Sequence, residues 1–123
     1  MNLSRFKLAA IASLIILILP GAIHAADENA YYWSSYERDL FLAYDQPVKM
    51  GNFEATLIRI IKNSEETGRK PPPGVLAEYG YILFGHGEFE FAIDYFERES
   101  REWPESAVLM NRIIKRAQDE AGS

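Results

Sequence analysis

The chain has 123 residues, a net charge of −5, 48% hydrophobic side chains, two histidines and no cysteine. That length supports one small domain, and without cysteine neither a disulfide framework nor a thiolate metal site can be built. The acidic balance argues against a protein that grips nucleic acid or anionic lipid through phosphates.

The first segment reads as a targeting signal. Arg5 and Lys7 make Met1–Lys7 basic, and Leu8–Leu19 is a predominantly apolar run of twelve residues. That is the length of a signal-peptide hydrophobic region and short of the ~18–20 residues that span a bilayer. Pro20-Gly21 then breaks the helix, and Ala22-Ile23-His24-Ala25-Ala26 presents a cleavage site, cut after Ala25. Residues 1–25 are therefore expected to be a signal peptide and residues 26–123 a single exported, periplasmic domain; an uncleaved anchor is the alternative. The exported part carries 11 basic and 18 acidic side chains with fifteen aromatics, too many aromatics for a disordered chain.

Glycine and proline punctuate the remainder into segments of helical length. Ser34-Ser35-Tyr36-Glu37 has the form of a capping box, with Ser34 as N-cap, opening a helix that runs to about Gln46 before Pro47. A second helix is expected from Asn52 as N-cap to Gly68, and Arg69-Lys70-Pro71-Pro72-Pro73-Gly74 reads as a stiff extended linker. A third helix is expected from about Gly74 to Phe84, ending at Gly85-His86-Gly87. The fourth, Glu88–Trp103, places Phe89, Ala92, Ile93 and Phe96 on one stripe and the pairs Asp94/Arg98 and Glu97/Arg101 on the opposite face. Pro104 begins a fifth, with Leu109, Met110, Ile113, Ile114 and Ala117 on its apolar side. No period-two pattern occurs, so the fold class is all-α.

The string Gly51-Asn52-Phe53-Glu54 returns 36 residues later as Gly87-Glu88-Phe89-Glu90. Around the later copy, Leu76, Tyr79, Gly80, Leu83, Ala92, Phe96 and Pro104 resemble the spacing of a tetratricopeptide repeat over residues 73–106. The earlier copy, residues 37–72, is degenerate: Leu40, Ala43 and Phe53 fit, whereas Pro47 and Thr56 depart. The expected architecture is about two tetratricopeptide-like antiparallel helical hairpins and a C-terminal capping helix.

The strings Tyr32-Trp33-Ser34-Ser35-Tyr36-Glu37, Pro71-Pro72-Pro73-Gly74, Ala77-Glu78-Tyr79-Gly80-Tyr81, Glu97-Arg98-Glu99 and Trp103-Pro104-Glu105-Ser106 resemble a family of small, uncharacterised envelope lipoproteins of Gram-negative bacteria. The resemblance spans about residues 31–114. It implies a companion of a CsgG-like outer-membrane protein and of a second small lipoprotein, in envelope assembly or secretion, with no enzymatic activity. Members of that family carry a lipid-modified cysteine after the signal. This chain has Ala25-Ala26-Asp27 there, so no direct lipid anchor is expected and membrane association would run through a partner.

The chemistry-bearing residues are sparse. His86 is the one histidine after residue 25 and reads as a turn residue, since a zinc site needs three or four converging ligands and a serine nucleophile needs a positioned base. The pairs Asp94/Glu97 and Glu99/Glu102 share helix faces but sit among arginines, which keep carboxylates ionised. No catalytic, cofactor or metal residue is assigned, and no enzyme is expected. The third helix is apolar on nearly every side, and such a helix expects burial on two faces. In the repeat register Ala77, Tyr81 and Phe84 line an inner groove, with Arg38 at its edge and Phe41 beside it; either a partner protein fills it, or Tyr31-Tyr32-Trp33 or the first helix through Phe41 covers it. The expected function is an exported helical-repeat adaptor for another envelope protein. A self-associating structural protein, possible as a homodimer, is the first alternative; a small enzyme or ligand binder has little behind it.

Overall fold

The computed structural model describes residues 31–123; the expected signal peptide and its cleavage site lie outside the described residues. The described residues form one compact unit of five α-helices, with no strand among them: α1 (Tyr36–Asp45), α2 (Met50–Thr67), α3 (Val75–Gly85), α4 (Phe89–Glu102) and α5 (Ala107–Ala121). Helices adjacent in sequence pack on one another along the chain. The protein is all-α.

Each helix boundary has a local cause. Ser35, not Ser34, is the N-cap of α1, and no side-chain capping bond forms there. Ser34 instead takes a positive φ of 52°, and its Oγ accepts a bond from Arg59 Nη1 at 3.2 Å, so the expected capping box does not close. Pro47 does not separate two helices by a loop. Its preset φ starts a 3₁₀ turn, Pro47–Lys49, which leads directly into α2 at Met50,. Asn52 is therefore inside α2 and not its cap. Gly68 ends α2 in the left-handed region at φ 66°, as a C-terminal glycine does. At the next turn it is Gly87, with φ 78°, that takes the unusual backbone angle; His86 keeps an ordinary φ of −84°.

Two clusters make the core. Ala43, Phe53, Leu57, Ile60, Ile61, Val75 and Leu76 join α1, α2 and the start of α3. Ala77, Leu83, Ala92, Phe96 and Met110 join α3, α4 and α5. Helices α3 and α4 run antiparallel, because their partners step down one helix as they step up the other: Phe84 meets Phe89, Tyr79 meets Tyr95, and Gly74 meets Glu99. At the centre of this pair Gly80 has no room for a side chain. A Cβ there would stand 2.7 Å from Phe96 Cε1 and 3.2 Å from the carbonyl oxygen of Ala92. The earlier segment keeps Ala43, Phe53 and Thr56 buried, but leaves Leu40 39% exposed.

The proline linker is fastened to the end of α4. Pro71 and Pro72 are buried, the Pro71 carbonyl accepts from Trp103 Nε1 at 3.2 Å, and Lys70 Nζ sits 5.0 Å over the Trp103 ring. Tyr31 packs edge-on against the same indole at 5.8 Å.

Candidate functional site

The five residues expected to line a groove are not brought together as one open surface. Ala77 is buried in the second core cluster. Phe84 is half-buried, with Phe89 at 5.2 Å and the guanidinium of Arg116 from α5 over its ring at 5.5 Å. Helix α5 packs on α4 and brings Met110 into the cluster of Ala77, and Arg116 over the ring of Phe84. The N-terminal aromatics go elsewhere: Trp33 packs edge-on against Tyr36 at 5.1 Å, Tyr31 goes to Trp103, and Tyr32 is exposed. Tyr81 rests its ring edge on Phe96 at 5.4 Å yet stays 47% exposed, and Phe41 is exposed on α1. Arg38 is exposed beside it.

A different concavity opens on α3. Ile58, Ile61, Lys62 and Glu65 from α2, Tyr79 from α3 and Tyr95 from α4 line a groove of about 330 Å³. Its floor is aliphatic and aromatic; its rim is charged. Arg98, expected to pair with Asp94, instead donates to Glu65 at 2.8 Å and lies 5.2 Å over the Tyr95 ring, because Glu65 and Tyr95 offer it a carboxylate and a π face together. The other expected pair, Arg101 with Glu97, forms at 3.9 Å on the exposed face. A groove with an apolar floor and a charged rim can seat one or two apolar side chains of a peptide or protein segment.

Three carboxylates hold the helices in register. Asp39 is buried on α1 and accepts three bonds: from Ser35 Oγ, from Thr56 Oγ1 at 2.6 Å and from Arg38 Nε at 3.0 Å. The hydroxyl and guanidinium donors pull its pKa down to about 2. Glu78 accepts the Tyr36 hydroxyl on both oxygens, at 2.6 and 2.8 Å; burial raises its pKa, partly offset by that bond. Glu99 is 2% exposed and accepts the Gly74 amide at 2.7 Å, at the first turn of α3. Burial raises its pKa against the pull of the Gly74, Ala77 and Leu76 amides. Glu99, read with Glu102 as sitting among arginines, is instead buried against the start of α3. In the sequence Asp39 is not singled out and Glu99 is not read as buried, though a signal exists for each: Asp39 lies four residues before buried Ala43, and Glu99 continues the stripe of Ala92 and Phe96.

Among the described residues no group of three or more His, Cys, Asp or Glu side chains converges as a metal site would require. No described helix is long and apolar enough to cross a membrane.

A family profile described as a domain of unknown function, DUF4810, matches residues 30–113, so the chain belongs to that family. No curated protein and no solved structure matches it.

Proposed function

We propose that this DUF4810 protein is an exported, periplasmic helical-repeat adaptor that binds another envelope protein and carries no catalytic role. The observation that carries the reading is the surplus apolar surface of α3. After contributing to both core clusters, this helix still leaves Tyr81 in solvent and offers Tyr79 to the open groove of Ile58, Ile61 and Tyr95. Apolar surface left in water beside charged side chains favours a docked partner. The basic, then apolar, then Pro-Gly pattern of residues 1–25 supports export with cleavage after Ala25. The 36-residue repeat and the close approach at Gly80 support tetratricopeptide-like hairpins capped by α5,.

The partner we propose is a CsgG-like outer-membrane protein or its companion small lipoprotein, on the strength of the strings from Tyr32-Trp33 to Trp103-Pro104-Glu105-Ser106. With no cysteine in the chain, contact with the outer membrane would run through that partner. The test is cross-linking in intact cells with a C-terminally tagged protein, then mass spectrometry of the captured proteins and of the recovered N-terminus. Enrichment of a CsgG-like protein or that lipoprotein, lost with Ile58→Glu or Tyr81→Glu in a protein of unchanged helicity, supports the reading. Capture of neither overturns it.

A further inference from the structure

We propose that the outer face of α1 is a self-complementary surface on which a second copy of this chain docks antiparallel, about a two-fold axis level with Phe41. The inference is independent of the adaptor reading and uses a different face. Asp39 and Ala43 turn inward from α1. At 100° per residue Phe41 lies opposite them, with Tyr44 three residues on. These two rings are 68% and 89% exposed, and on such a short helix they form an aromatic patch standing in water.

The charges around the patch decide the occupant. One flank of the face carries Glu37 and Tyr44, the other Arg38 and Asp45, and all four are exposed. A two-fold axis lying across the helix within the interface reverses chain direction and sets each flank against the same flank of the second copy. Residues at nearly equal distances on either side of Phe41 then meet, within one residue's rise of about 1.5 Å. Phe41 packs on Phe41 of the second copy, Arg38 meets Asp45 twice, and the Tyr44 hydroxyl comes within reach of the Glu37 carboxylate twice. Arg38 uses its Nε on Asp39, and its side chain remains 72% exposed, so the outer edge of the guanidinium faces the incoming Asp45. Antiparallel helices also oppose their dipoles. A parallel arrangement would also set Arg38 against Glu37, but it would gather both Asp45 carboxylates and both negative helix ends at one end of the interface.

The experiment is sedimentation velocity on the purified protein over a wide concentration range, joined to disulfide mapping. We expect a monomer–dimer equilibrium whose dissociation constant rises at least about tenfold with Phe41→Glu and with Asp45→Arg, while circular dichroism, and melting at concentrations where the parent is monomeric, stay as in the parent. The chain has no cysteine of its own, so Arg38→Cys mixed with Asp45→Cys should form the mixed disulfide on mild oxidation, and neither variant alone should cross-link comparably. A monomer at every concentration, a dimer indifferent to Phe41→Glu, or cross-links only between identical variants would each overturn the proposal.

Discussion

The Glu99 carboxylate of α4 accepts the backbone amide of Gly74, 2.7 Å away, where α3 begins. The first amides of a helix have no partner inside it, and they gather the positive end of its dipole. Gly74 is the N-cap and has no side chain to serve them. A buried acid from the following helix does so instead, and thereby ties the end of α4 to the start of α3. Glu99→Ala leaves the Gly74 amide unsatisfied and should cost about 1–3 kcal/mol, measured by urea unfolding at neutral pH.

The buried acids also set a pH profile with two limbs. Glu78 and Glu99 are raised from 4.5 by burial, so the folded protein holds protons that the unfolded chain has released. Stability should therefore fall as pH rises from about 4.5 through their raised values. Asp39 is held at about 2 against 3.8. Its contribution is complete above 3.8 and is lost as pH falls toward 2,. Denaturant unfolding across pH should show a maximum between the two limbs. Glu99→Gln should flatten the upper limb and Asp39→Asn the lower; a profile unchanged by both would refute the assignment.

Gly80 and Phe96 should behave as a coupled pair. Gly80→Ala drives a methyl against the Phe96 ring, which lies 2.7 Å from the Cβ position, and should cost about 1–3 kcal/mol by overpacking. Gly80→Leu should cost more. Adding Phe96→Leu to Gly80→Ala should recover part of that loss, a non-additivity measurable in a double-mutant cycle.

Phe84 and Tyr44 should separate cleanly. Phe84 lies between Phe89 and the guanidinium of Arg116, so Phe84→Glu should destabilise by about 1–3 kcal/mol through lost burial and a partly desolvated charge. Tyr44 is 89% exposed, and at concentrations where the chain is monomeric Tyr44→Glu should stay within about 0.5 kcal/mol of the parent. Thermal melts of the two variants check both.

Trp103 should matter more than its half-buried state suggests. Its ring meets Tyr31 and Lys70, and its Nε1 holds the Pro71 carbonyl. Trp103→Ala should cost about 3 kcal/mol and loosen the segment before α1. Hydrogen exchange at residues 31–36 should rise with it.

The helices and most of the core could be read along the chain, because apolar periodicity and Gly/Pro punctuation act over a few residues. Leu76, Gly80, Leu83, Ala92 and Phe96 carry their packing roles in their spacing, and the structure places all of them inside. Helix starts were less legible. Ser34 has a capping composition, but its hydroxyl is taken by Arg59, 25 residues away. The groove shows the same limit: Ala77 and Phe84 look free on α3, and distant residues of α5, Met110 and Arg116, join them in the folded chain.

What the sequence by itself determined is the helical class, the helix count over residues 31–123 and the tight crossing at Gly80, all consequences of local spacing and side-chain size. Only the tertiary structure decided which apolar stripes stay in water and which acids go inside. Burial of Asp39 depends on Thr56 and that of Glu99 on Gly74, partners 17 and 25 residues distant. A buried acid needs a donor that reaches it, and for both side chains that donor is brought in by chain topology.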